Sequence, residues 1–267
     1  MFLPRLVLFF CCAFFGSVAP AHEFWIEPLA YQLRAGEEMS AHLRNGQEFE
    51  GINLGFFDRN IARFDVIVAD RVMPVKGRMG DNPALNLPAP GDGLVILAHE
   101  TTPSFVTYKT WEKFAAFAAH KDFPDIKARH DALGFGPPPF KERYTRHAKS
   151  LIAVGSGTGT DRAVGLETEF VAKTNPYDPN FMGGMRVQLL ADGGPRADAQ
   201  VEVFDRAPDD TVTISLHRTN AQGMAEVPVT PGHSYLFDAV VLRPITDGSE
   251  ALWETFWASL TFAVPQR

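Results

Sequence analysis

The sequence predicts a mainly β protein of two β-sandwich domains, the first interrupted by a short helical insert and the second immunoglobulin-like. Short runs of alternating apolar and polar residues recur along most of the chain, and turn-forming Gly, Pro, Asn and Asp separate them. One stretch, about residues 109–150, abandons that period for spacings of three and four. A chain of 267 residues is long for one domain and comfortable for two.

Residues 1–21 have the parts of a secretory signal: the basic Arg5, an apolar run over residues 6–15, and Ala19-Pro20-Ala21, which fits the A-x-A cleavage rule. Cleavage there makes His22 the first residue of the mature protein. The first domain, residues 22–154, opens with Phe24 and Ile26 alternating with Trp25 and Glu27, followed by Met39, Ala41 and Leu43 before Gly46. Residues 64–69 and 72–75 flank Asp70-Arg71 as a hairpin, residues 82–91 are loop by their Pro and Gly content, and residues 94–98 form a short apolar strand. Within the insert, Trp111, Phe114 and Ala118 share one helical face, and Ile126, His130 and Leu133 another. After Gly136-Pro137-Pro138-Pro139, the set Phe140, Tyr144, His147 and Leu151 predicts a third short helix.

Residues 155–163 read as an interdomain linker. Their Gly155-Ser156-Gly157-Thr158-Gly159-Thr160 lacks the G-x-G-x-x-G spacing, and no helical pattern opens after it, which argues against a phosphate loop. The second domain, residues 164–267, is β throughout. Met185, Val187 and Leu189 alternate, Gly193-Gly194-Pro195, residues 219–223 and Thr230-Pro231-Gly232 turn the chain, and Phe256, Ala258, Leu260 and Phe262 share one face of the last strand.

Composition excludes several functions. Both cysteines, Cys11 and Cys12, lie in the signal, so the mature chain has neither disulfides nor thiolate metal sites. Loss of Arg5 with the signal takes the formal charge from −7 to −8, an acidic balance unsuited to nucleic acid and not repellent to cations. No later stretch approaches the ~18 consecutive apolar residues of a membrane span, so stable membrane insertion is not expected. The periplasm is the natural destination. Neither an H-E-x-x-H nor a G-x-S-x-G motif occurs, and nothing singles out a catalytic pair of carboxylates.

All eight histidines survive maturation. An amino-terminal histidine offers a metal its α-amine and its imidazole from one residue, and such nitrogen donors suit copper, nickel and zinc. His99 follows the apolar run 94–98 and precedes a loop, where sites are often assembled. His130 stands in a helical segment bounded by Pro and Gly. The expected ligand set is therefore His22, His99 and His130. His120 reads as a helix cap that complements the negative pole; His147 reads as core, and His42, His217 and His233 as surface.

The segments His22-Glu23-Phe24-Trp25-Ile26-Glu27-Pro28, residues 142–151, Gly165-Leu166-Glu167-Thr168-Glu169, Asn175-Pro176-Tyr177 and Trp257-Ala258-Ser259-Leu260-Thr261-Phe262 together resemble a family of secreted proteins. That family carries a domain of unknown function and is associated with nickel and cobalt uptake transporters. The resemblance implies a periplasmic component that binds or hands on a divalent transition metal, nickel or cobalt, and serves a membrane permease; with no catalytic motif in the sequence, the chain is expected not to be an enzyme. It also implies a β-rich fold whose second half is similar to transthyretin-like or carboxypeptidase-regulatory modules. The familiar amino-terminal copper and nickel motif needs histidine at the third mature position, which here is Phe24. Histidine at position one is instead the arrangement of histidine-brace copper proteins, so a copper carrier or copper-dependent oxidase or monooxygenase is the alternative. A third reading is an envelope recognition module using Trp25 or Trp253 for contact.

Overall fold

The computed structural model describes residues 22–266, so the signal expected over residues 1–21 lies outside the described residues. The chain is mainly β, with two short α-helices and three sheets that pack as sandwiches. A ten-stranded sheet forms the middle layer. It draws strands from both sides of residues 155–163, so the two expected sandwiches share one sheet. At its centre the strand Phe140–Val154 pairs in parallel with Ala251–Ala263, with Arg146 opposite Trp257 and Ala148 opposite Ser259.

That central strand corrects the third helix expected over Phe140, Tyr144, His147 and Leu151. The binary pattern misleads because this strand is covered on both faces and carries partnered polar residues inside. Glu142 accepts bonds from the Tyr108 and Thr255 hydroxyls, and Lys149 is held by Asp161 and Glu169. A buried two-sided strand loses the period of two that marks a half-exposed one. The two observed helices, α1 (Trp111–His120) and α2 (Ile126–Ala132), match the first part of the insert.

One face of the large sheet packs on a four-stranded sheet built from Thr168–Ala172, Gly184–Ala191, Gly194–Pro195 and Met224–Pro228, enclosing Phe170, Met185, Val187, Phe237 and Phe262. The other face is covered in two parts. The sheet of Glu23–Pro28, Glu38–Gln47, Glu50–Leu54 and Leu85–Pro88 covers one part through Phe24, Ile26, Met39 and Leu43; the helices cover the other through Phe114, Phe117 and Ile126 against Trp253 and Trp257. The first strand is tied to the large sheet by Thr261, whose hydroxyl donates to the Ile26 carbonyl at 2.6 Å, and by Arg146, which donates to the His22 carbonyl at 3.0 Å.

The glycine-rich segment is not a free tether. Asn175 donates to the Gly157 and Gly159 carbonyls, Asp92 accepts from the Ser156 amide, and the Tyr177 hydroxyl donates to Leu151 at 2.7 Å.

Candidate metal centre

Glu202, in the strand Gln200–Arg206, lies directly opposite Asp238, in Ser234–Pro244. Both are buried. Like charges paired in this way repel by about 3 kcal/mol at ~5 Å and an effective dielectric of ~20. The pair therefore requires a cation, and Lys121 supplies one. Its Nζ donates to Glu202 Oε2 at 2.7 Å, Asp238 Oδ2 at 3.0 Å and Glu23 Oε1 at 3.1 Å, and stands 5.0 Å from the centroid of the Trp257 ring.

Local sequence fixes where that ammonium goes. Helix α1 buries Phe114, Phe117 and Ala118 against the tryptophans and ends in a Schellman motif. The Phe123 amide donates to Ala118, the Asp122 amide to Ala119, and Asp122 takes the left-handed conformation at φ 69°. Lys121 is the C-cap residue, and its side chain points under the helix end into the carboxylates. The neighbouring His120 stays at the surface, with its side chain 46% exposed and Nε2 3.3 Å from Glu202 Oε1. Glu23 arrives from the first strand, one residue after His22.

One ligand atom from each of Glu23, His120 and Glu202 lies within 4.8 Å of the other two. Ligands on a common first-row ion, with bonds near ~2.1 Å, sit roughly 3–4 Å apart. Small side-chain adjustments would close the difference. Burial pushes Glu23 up to about 7 against the pull of Lys121, and burial likewise raises Asp238. Burial works in the same direction on Glu202, but His120 and Lys121 outweigh it and hold that carboxyl below its usual range. The bond to Glu202 raises His120 in turn. Burial opposes the charge on Lys121, and the three carboxylates more than offset it.

Three polar atoms around this centre are buried without a hydrogen-bond partner: Asp238 Oδ1, Ser259 Oγ and Arg146 Nε. Ser259 is the residue directly across the ladder from Asp238. Buried polar atoms of folded proteins are nearly always satisfied, so orphans beside an acidic cluster fit a site that takes an additional polar or ionic group. One imidazole with two carboxylates is a donor set suited to a divalent transition ion.

The family model for a domain of unknown function, DUF4198, matches residues 19–243. The chain belongs to the DUF4198 family. Its matched span contains Glu23, His120, Lys121, Glu202 and Asp238. No curated protein matches the chain.

In this DUF4198 chain the three histidines expected as ligands are placed apart in role. His22 is exposed, in an open cleft of about 610 Å³ whose lining includes Asn45, Gln47, Glu48 and Glu50. His99 lies inside the strand Gly93–Thr101, which runs past the expected end at residue 98. Its ring is between Phe24 and Phe64, 5.1 Å from each, and neither nitrogen has a partner. Burial, with a smaller contribution from His147, pushes it down to about 3. His130 is hydrogen-bonded at both nitrogens: Nε2 lies 2.9 Å from the Gly136 carbonyl, and Nδ1 accepts from Trp253 Nε1 at 3.1 Å. Among the described residues, the group whose ligand atoms converge is Glu23, His120 and Glu202, which does not include these three.

Sequence reasoning passed over Glu23, Lys121, Glu202 and Asp238, and took His120 only as a helix cap. A signal was present. Val201-Glu202-Val203-Phe204 and Leu236-Phe237-Asp238-Ala239-Val240 each set a single acid in an apolar run, and an acid so placed announces a buried partner.

Proposed function

We propose that this chain is an exported, non-enzymatic protein that binds a divalent transition metal at Glu23, His120 and Glu202. The observation that carries the reading is the convergence of one nitrogen and two carboxylate donors, from segments 98 and 81 residues away from the helix end that joins them. Removal of residues 1–21 would add a free α-amine to the His22 imidazole, one residue from Glu23, and so place a terminal chelator at the edge of the site. The resemblance to secreted proteins of nickel and cobalt uptake supports those two metals, a periplasmic location and a membrane permease as recipient. Copper is the competitor, because it binds nitrogen and oxygen sites more tightly than nickel does.

The test is metal titration of protein exported and processed by its own cell, with nickel, cobalt and copper in separate experiments. One ion per chain is expected, and His120→Ala and Glu202→Gln are each expected to weaken binding at least tenfold, about 1.4 kcal/mol. Binding absent in the unaltered protein, or unchanged in both variants, overturns the reading.

A further inference from the structure

We infer that Lys121 sets the metal preference of this centre: it occupies the oxygen donors that an alkaline-earth ion needs and leaves a nitrogen-containing set for a transition ion. This rests on the metal-binding reading above and concerns the selectivity of the same site.

Three carboxylates reach the centre, and Lys121 holds one oxygen of each. A second cation is left with His120 Nε2 and Glu202 Oε1, 3.3 Å apart, and with the Glu23 carboxylate, of which Lys121 already holds one oxygen. Asp238 Oδ1 stays buried, without a partner and outside the converging three. Calcium takes about 6–8 oxygen ligands, and magnesium demands a near-octahedral set of oxygens. One imidazole and two single carboxylate oxygens serve neither well, whereas imidazole suits the later first-row ions.

The ammonium is enclosed. Its side chain is 2% exposed, the Schellman motif fixes its backbone, and the Trp257 ring closes one side. Nor does another cation take over its oxygens. Arg146 is close enough to sense Asp238, but its guanidinium donates to the His22 carbonyl and lies against the Tyr144 and Trp257 rings. With Lys121 removed, the three carboxylate oxygens it now holds, one each from Glu23, Glu202 and Asp238, would face a space the size of an ammonium group. That is an oxygen-rich, strongly anionic site of the kind calcium fills.

The experiment compares the full chain with its Lys121→Met variant by thermal denaturation and titration, with calcium alone and with nickel alone. Calcium is expected to leave the unaltered protein unmoved and to raise the melting temperature of K121M, with calcium affinity gained at least tenfold and the nickel-to-calcium preference falling by the same factor. A calcium response in K121M no greater than in the unaltered protein overturns the inference.

A second measurement does not depend on the variant folding. Amine-directed labelling read by mass spectrometry should find Lys121 unreactive in the unaltered protein both without metal and with nickel bound. Lys121 becoming reactive on nickel loading would mean that the metal takes its oxygens, and would overturn the inference. If the unaltered protein binds no nickel while K121M gains calcium, the proposed function falls and the blocking role of Lys121 stands.

Discussion

His99 contributes stability only while it is neutral. Burial holds it down to about 3, and burial against a weak bond to the Trp257 carbonyl holds His147 down to about 4, both below the ~6.5 of a free imidazole. The unfolded chain therefore takes up protons first as the pH drops. Stability from these two residues is complete above about pH 6.5 and is lost progressively as the pH falls through the folded values near 4 and 3. The loss from these two residues between pH 7 and 4 is on the order of a few kcal/mol, while Glu23 and Glu142, which burial holds up at about 7, contribute in the opposite direction, so urea denaturation is read as the difference between the unaltered protein and His99→Phe. His99→Phe should remove the share of that loss that comes from His99 while costing less than ~1 kcal/mol at pH 7, because a phenyl ring suits the Phe24 and Phe64 contacts and no hydrogen bond is lost. A larger cost at pH 7 would mean that the His99 nitrogens have a partner. The sequence made His99 visible as a metal-ligand type at the end of an apolar run. Its enclosure by two phenylalanines from other strands is a tertiary fact that local spacing does not carry.

The hairpin beside His22 depends on two glycines facing each other. Gly46 pairs with Gly51 across the turn and with Glu23 on its other side, and a Cβ on Gly46 would stand 1.9 Å from the Glu50 carbonyl oxygen and 2.4 Å from the Gly51 Cα. Both obstacles are backbone, so nothing can rotate away. The turn itself needs the left-handed region at Glu48 and Phe49, φ 53° and 63°, which lets Phe49 bury its ring against Trp25 and Arg206. Gly46→Ala is expected to cost more than ~3 kcal/mol. Gly36→Ala, at a position with open space around it, is the control: it meets only its left-handed φ of 83° and should cost about 1 kcal/mol. Equal losses in a urea series would contradict this account of the hairpin. At this scale the sequence was legible where one face of an element meets solvent. The alternation of Met39, Ala41 and Leu43 and the helical face of Trp111, Phe114 and Ala118 both became the elements they predict. It was illegible over residues 140–154, where interior glutamate, arginine and lysine erase the pattern and an accidental four-three-four spacing suggests a helix.

Across the whole molecule, the shared ten-stranded sheet is what assembles the centre. Glu202 and Asp238 come from strands late in the chain, His120 and Lys121 from the end of α1, and Glu23 from the first strand laid over the same face. The β class and the helical insert could be read from periodicity. The sharing of one sheet could not, because parallel pairing between residues 141–150 and 251–261 joins segments about a hundred residues apart and leaves no local trace. For the same reason the acids of the centre could not be read as a set. The most direct measurement of the central claim is anomalous diffraction at the cobalt absorption edge from crystals of the cobalt-loaded protein. The account predicts one peak among Glu23, His120 and Glu202, with Lys121 still on its three carboxylates. A peak elsewhere, at the His22 cleft alone or beside His99 or His130, would contradict it.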